Sequence, residues 1–97
     1  MNQKISLCYD VNEDEWSQKK LNDNQSHKFY QCSAAIALNT HEILITGGGS
    51  PPKKDARLYL TTKNEIINKA PMNESRNAHA ITICKGNVYV LGGFSGK

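Results

Sequence analysis

The sequence predicts an all-β fold built from repeated antiparallel sheets, because two internal repeats run through the chain. Residues 32–48 (CSAAIALNTHEILITGG) align without a gap with residues 77–93 (NAHAITICKGNVYVLGG) at a shift of 45 positions. Each copy contains a β-rich run, a short polar turn, a second β-rich run and a glycine pair. A second match, at a shift of 50, places Leu58-Tyr59 on Cys8-Tyr9 and Ile66 on Trp16. Periods of this length with four strands each are typical of β-propeller blades.

Alternating apolar residues and turn residues locate the strands. Ile5, Leu7 and Tyr9 share one face of a first strand, and residues 16–21 form a second. The middle of the chain predicts four antiparallel strands near residues 33–39, 42–47, 56–61 and 65–68. The last repeat adds two strands, joined by a turn at residues 85–87. Numbered by their place in a blade, the strands run 3-4, then 1-2-3-4, then 1-2.

This order divides the 97 residues, which make one small domain at most, into three parts. We expect a half blade (strands 3-4) over residues 1–21, a complete blade over residues 29–69 and a half blade (strands 1-2) over residues 77–97. Two blades' worth of strands cannot close a ring. The predicted core consists of Ile36, Leu38, Ile43, Ile45, Leu58, Ile81, Ile83, Val88 and Val90.

Composition narrows the class of protein. The net charge is +3, and only Lys53-Lys54-Arg57 and Lys19-Lys20 cluster, so no basic stripe predicts nucleic-acid binding. No apolar stretch approaches the roughly 18–20 residues of a membrane span, and the N-terminus lacks the apolar region of a signal peptide. The three widely spaced cysteines do not predict a disulfide framework, which favours a reducing, cytoplasmic location and buried thiols.

The repeat resembles the kelch repeat over nearly the whole chain. The residues that carry this resemblance are the glycine pairs and the aromatic positions, namely Gly47, Gly48, Gly92, Gly93, Tyr9, Asp10, Trp16 and Tyr59. The Pro71-Met72 pair, followed by Arg76 and His79, looks like the tail of the same motif. The second copy departs from the pattern at Leu60, where Asp is preferred, and at Ile66, where Trp is preferred. The resemblance implies a kelch-type β-propeller, either partial or completed by oligomerisation.

Several candidate sites have simpler interpretations. The stretch GGGSPP at residues 47–52 lacks the spacing of a phosphate-binding loop and is expected to be a strand-end turn. The three histidines have no metal-like spacing to cysteine, so neither zinc nor any other cofactor is predicted. Arg76 and His79 are instead expected to order the start of the last half blade by hydrogen bonding. The acidic turn at residues 10–15 could hold a cation, but a solvated turn is the favoured interpretation.

The remaining candidate surface consists of loops. The predicted blade places four loops on one face, over residues 22–28, 49–55, 68–75 and 94–97. Loops on a rigid scaffold commonly carry binding. The resemblance implies a non-enzymatic module that binds a protein partner, and the candidate contact residues are Ser50, Lys53, Lys54, Arg57, Asn73 and Arg76. Two alternatives stay open: a fragment of a kelch-like, oxidase-type enzyme carrying a metal, and an actin-associated structural scaffold.

Assembly follows from the same strand order. Half blades leave open sheet edges, which invite pairing with another chain. We expect either further kelch blades or a homo-oligomer, with a trimer favoured because three chains of two blade equivalents would give about six blades. Trp16 is expected to anchor the contact between neighbouring blades, since Trp buries a large apolar area.

Overall fold

A computed structural model describes residues 5–20 and 30–95 of the chain. The described residues contain eight strands, which are β1 (Ile5–Asp10), β2 (Glu15–Lys20), β3 (Ala34–Ala37), β4 (Glu42–Thr46), β5 (Ala56–Leu60), β6 (Glu65–Lys69), β7 (Ala80–Cys84) and β8 (Asn87–Leu91). They form three antiparallel sheets with the orders β1-β2, β3-β4-β5-β6 and β7-β8. The predicted all-β class is confirmed. Within the described ranges there is no helix and no closed propeller.

The turns between strands show why these residues fold as hairpins. Asp14 and Asn64 each adopt a positive φ at the end of the turns that close β1–β2 and β5–β6. Asn and Asp tolerate this backbone region better than other side chains, and Gly better still. Lys85-Gly86, both at positive φ, form a two-residue turn between β7 and β8, which suits the right-handed twist of paired strands.

The register of β7 overturns the gap-free alignment of the two repeats. Ala34 pairs with Thr46 in the four-stranded sheet, whereas Ala80 pairs with Leu91 in the last one. Strand β8 therefore matches β4 at a shift of 45, but β7 matches β3 at a shift of 46. The cause is the turn, because three residues (39–41) join β3 to β4 and two join β7 to β8. A one-residue slip moves every side chain to the other face of a sheet, so Ile81 takes the place of Ala35.

The four-stranded sheet has two faces that follow from its pairing. The front face carries Ala34, Ile36, Leu44, Thr46, Ala56, Leu58, Leu60 and Ile67. The back face carries Ala35, Ala37, Ile43, Ile45, Arg57, Tyr59 and Ile66. The sheet β7–β8 packs at the β3 side of the front face, because β3 contacts β7 and the Thr46 side chain binds His79.

The core is smaller than the sequence predicted. Among the described residues the buried apolar side chains are Ala56, Leu58 and Ile66, and only Leu58 belongs to the predicted set. The other predicted core residues are half-buried, except Ile83, which is 39% exposed and was wrongly placed in the core. The reason is that β7–β8 is covered from one side only, so its strands cannot be fully enclosed.

The burial prediction for the cysteines is wrong, whereas that for Trp16 stays a prediction because it concerns contact with a neighbouring blade. In the single chain Trp16 is 69% exposed, and its ring contacts Tyr9 with the ring centroids 5.1 Å apart. All three cysteines are free and exposed, not buried. Among the described strands β1 and β2 contact only each other, which leaves Cys8 and Trp16 without a covering sheet.

Candidate functional site

Three connections meet at one end of the sheets and form what we call the loop surface, residues 47–55, 70–79 and 92–95. Backbone hydrogen bonds tie them together. The Gly48 amide donates to the Arg76 carbonyl at 2.7 Å, and the Arg76 amide donates to the Lys53 carbonyl at 3.1 Å. The Asn77 and Phe94 amides donate to each other's carbonyls, both at 3.0 Å. Since the bonds involve the backbone, the paths of the loops are fixed largely independently of their exposed side chains.

The glycine pairs allow this close approach. Gly47 has φ +60°, and a Cβ there would overlap the Arg76 carbonyl and lie 2.7 Å from the His79 ring. At Gly93, φ is +85°, and a Cβ would lie 2.6 Å from the Asn77 carbonyl and 2.7 Å from the His79 Cβ. Only glycine meets both the left-handed backbone and the lack of space at these two positions.

His79 fills the space between the two glycine pairs. One ring nitrogen, Nε2, lies 2.8 Å from the Thr46 hydroxyl, while Nδ1 is buried and has no hydrogen-bond partner among the described residues. Burial lowers the pKa of His79, and the nearby positive charge of Arg76 lowers this pKa further, although the Thr46 contact opposes the shift. The neutral ring is therefore the form that this packing favours.

Arg76 joins the loop surface to the second glycine pair. Its Nη1 donates to the Gly92 carbonyl at 2.7 Å, and Nη2 lies 3.5 Å from the Glu74 carboxylate. The predicted ordering of this segment by hydrogen bonds from Arg76 and His79 is confirmed. The guanidinium is held against the backbone, so only part of its charge faces solvent.

A cleft opens beside the loop surface, with a volume of about 330 Å³. It is lined by Tyr30, Gln31, Cys32, Gly49, Ser50 and Asn77. The Asn77 side chain donates to the Gly49 carbonyl at 2.7 Å across the cleft. The cleft therefore combines fixed polar atoms with an aromatic wall.

Sequence reasoning missed Tyr30 and Asn77. The Tyr30 ring carries Lys53 Nζ 5.8 Å from its centroid and the Arg57 guanidinium at 5.4 Å. Cation–π contacts of this length hold basic side chains in place. No local signal in the sequence identifies Tyr30, because this residue lies 23 positions from Lys53 and 27 from Arg57.

The six predicted contact residues fall into three groups. Ser50, Lys54 and Asn73 are exposed on the loop surface, and Lys53 and Arg76 are half-buried there. Arg57 is 3% exposed, so its side chain is not part of the exposed loop surface. The alternation of strand β5 turns Arg57 to the back face of the sheet, under Tyr30, instead of toward solvent. The predicted loop at residues 22–28 lies outside the described residues, as do residues 96–97 of the last loop.

The aromatic motif residues Tyr9 and Tyr59 lie beside the turns that close β1–β2 and β5–β6. The Tyr59 hydroxyl donates to the Asn64 side chain at 2.5 Å, and the Tyr9 hydroxyl donates to Asp14 five residues later in the same way. The bond to Asp14 raises the pKa of Tyr9. The Asp10 carboxylate accepts the Asn12 amide at 2.9 Å, so the acidic stretch forms a turn that caps its own backbone.

Residues 5–20 and 30–95 contain no group of three or more His, Cys, Asp or Glu side chains placed to hold a metal ion. The same ranges contain no helix long and apolar enough to cross a membrane.

Comparison with known proteins shows similarity to kelch-like proteins. The chain is 32% identical over 91 residues to Kelch-like protein 24 from Rattus norvegicus, Homo sapiens and Mus musculus. The match covers 93% of this chain but 14% of the length of these relatives. No family model matches the chain.

Proposed function

The chain belongs to the kelch-repeat family, and from that premise we propose that its loop surface binds a protein partner as a non-enzymatic interaction module. The observation that carries this proposal is the backbone network that joins residues 47–55, 70–79 and 92–95. Binding to loops that are already ordered avoids the entropic cost of ordering them in the complex. A scaffold that fixes its loops in this way suits recognition.

The exposed chemistry of the surface indicates the kind of segment it would accept. Lys54 is exposed, and the neighbouring Lys53 ammonium is held over Tyr30. Ser50 and Asn73 add exposed hydrogen-bonding groups without charge. An extended partner segment with an acidic residue would place its carboxylate near the two lysines and its backbone along the cleft. Charged groups of this kind at an interface set specificity and association rate more than affinity.

Quantitative capture with matched charge-reversal variants tests this proposal. The immobilised 97-residue chain would be compared with Lys54→Glu and Lys85→Glu in a cell extract, with bound proteins measured by mass spectrometry. Both lysines are exposed, but Lys85 lies in the β7–β8 turn at the other end of the strands from the glycine pair. We expect a partner that binds the parent and Lys85→Glu, and that binds Lys54→Glu at least about tenfold less.

Equal capture by all three proteins would reject the loop surface as the binding site.

We propose that the interaction takes place in the cytoplasm, because three free, exposed thiols suit a reducing compartment. Fractionated extracts extend the same experiment, since a partner captured only from secreted or membrane fractions would contradict that location.

A further inference from the structure

One exposed serine of the loop surface has a sequence context that no other serine or threonine of the chain shares. Ser50 is directly followed by Pro51, and Lys53 comes three positions after it, in the stretch SPPK. Protein kinases select substrates partly by the residues and charges around the acceptor hydroxyl. Proline-directed kinases take a serine that is directly followed by proline and favour a basic residue two positions beyond that proline. The stretch SPPK therefore has the pattern of a phosphorylation site.

The structure presents this serine to solvent. Ser50 and Pro51 are both exposed, in a turn that the Lys53 amide closes by donating to the Gly48 carbonyl at 2.9 Å. Neither Pro51 nor Pro52 has an amide hydrogen, so neither can hold the turn by donating a backbone hydrogen bond. A short exposed turn outside the sheets belongs to the part of a protein that opens locally at low cost, as binding in a kinase groove requires.

The same turn is part of a surface with little net charge. The charged side chains of the loop surface are three cations and two carboxylates, namely Lys53, Lys54, Arg76, Asp55 and Glu74. A single net positive charge remains when the buried histidine is neutral. A phosphoserine carries a charge of about −1.5 to −2 at neutral pH. One phosphate in this turn would therefore reverse the sign of the surface.

We propose that Ser50 is phosphorylated by a proline-directed kinase and that its phosphate prevents the loop surface from binding an acidic partner segment. The second half of this proposal rests on the proposed function, and the first half does not. In the transfer, a bond forms between Ser50 Oγ and the γ-phosphorus of ATP while the bond from that phosphorus to the bridging oxygen breaks. ADP leaves, and the hydroxyl proton passes to the catalytic aspartate of the kinase.

The phosphate would act through the two lysines that follow it. Lys53 lies in the same turn, and its ammonium is held 5.8 Å from the centroid of the Tyr30 ring, which lines the same cleft as Ser50. A hydrogen bond between two charged groups is stronger than a cation–π contact at an exposed site. The phosphate therefore draws Lys53 and Lys54 toward itself. A partner carboxylate then meets like charge and cations that are already paired.

Phosphorylation in vitro tests the site without any partner. The 97-residue chain would be incubated with ATP and a cyclin-dependent kinase, and the phosphate located by peptide mass spectrometry. We expect one phosphate on Ser50, none on the Ser50→Ala variant, and transfer at least about tenfold slower in Lys53→Ala. Lys85→Ala is the matched control, because it removes an exposed lysine from the β7–β8 turn and should keep the parent rate. A phosphate on another residue, or none at all, would overturn the site.

The second pKa of the phosphate reports its contact with the lysines. This pKa is about 6 for an isolated phosphoserine, and a nearby cation lowers it. Titration followed by ³¹P NMR should give a lower pKa in the phosphorylated parent chain, and a pKa closer to 6 in Lys54→Gln. Lys85→Gln should match the parent. An unshifted pKa in the parent would show that the lysines do not hold the phosphate, which contradicts the mechanism of the switch.

Partner capture tests the switch and separates its failure from that of the proposed function. The phosphorylated chain and Lys54→Glu would be compared with the unmodified chain and with Thr40→Glu, which adds negative charge at an exposed position in the β3–β4 turn. We expect the first two to capture at least about tenfold less partner, and Thr40→Glu to retain the parent level. If only Lys54→Glu loses capture, the proposed function stands and the switch is wrong. If neither loses capture, the partner binds elsewhere and both proposals fail.

Discussion

The two glycine pairs occupy the same position in successive sheets but have different surroundings. Gly47 and Gly92 share a left-handed backbone, with φ +60° and φ +67°. A Cβ on Gly47 would run into the Arg76 carbonyl and the His79 ring, whereas a Cβ on Gly92 would meet no atom within 4 Å. In the four-stranded sheet, the first glycine of the pair is required both by its left-handed backbone and by the lack of space for a Cβ. In the β7–β8 sheet, only the left-handed backbone requires it.

Part of the reason why the motif has glycine at this position is therefore steric, because the segment that leads into the next sheet leaves no room for a Cβ. His79 and Arg76, which crowd Gly47, belong to the segment that leads into β7. The same contrast applies to Ile66 and Trp16, which match each other in the repeat. Ile66 is 6% exposed in the four-stranded sheet, while Trp16 lies open on a two-stranded one. Identical positions in the repeat therefore differ in burial according to which neighbours are present.

The largest expected effect is on Gly47. Gly47→Ala combines the cost of a left-handed Ala, about 1–2 kcal/mol, with an overlap that costs about 1–3 kcal/mol, so the free energy of unfolding should fall by about 2–5 kcal/mol. Gly92→Ala should lose only the backbone part, about 1–2 kcal/mol. Urea denaturation followed by circular dichroism measures both. Equal losses in the two variants would remove the contrast between the two sheets.

The next effect compares the matched positions Ile66 and Trp16. Ile66→Ala should lower the free energy of unfolding by about 2–4 kcal/mol, because it leaves a cavity in the core of the four-stranded sheet. Trp16→Ala should change the stability of the isolated chain much less, although Trp is the larger side chain, since Trp16 is mostly solvated. The comparison must be made at a dilution where the chain is monomeric. A larger loss for Trp16→Ala under that condition would show that the hairpin is packed against the rest of the chain.

The strand order could be predicted from the sequence because its signals are local. Alternation, the glycine pairs and turn residues such as Lys85-Gly86 depend on neighbours a few positions away. The register of β7 could not be predicted from the repeat, because it depends on turn geometry. The Asn39 side chain accepts the His41 amide at 2.8 Å and donates to the Glu42 carboxylate at 2.7 Å. These bonds support the three-residue turn between β3 and β4, whereas β7 and β8 are joined by two residues.

The candidate surface was predicted only in part for a related reason. Its loops were located from Pro and Gly, and Ser50, Lys54 and Asn73 are exposed there. Arg57 is buried because its position in the alternation of β5 turns it to the back face of the sheet, where it contacts Tyr30. Tyr30 is 27 positions away in the chain. Neither composition nor a repeat reports a contact of that kind, because it forms only when the sheet is paired.

The smallest expected effect concerns His79, the side chain that separates the two glycine pairs. Its pKa is lowered from the usual 6.5 by burial first and by Arg76 second, so the unfolded chain binds a proton more readily than the folded chain. The contribution to stability is therefore complete above about pH 6.5 and is lost as the pH falls toward the lower pKa of the folded state. His79→Gln should flatten the dependence of unfolding free energy on pH below about pH 6.5. Urea midpoints at a series of pH values measure this. If His79→Gln retained the full pH dependence, the buried ring between Gly47 and Gly93 would not be its source, and the junction between the sheets would tolerate a protonated histidine.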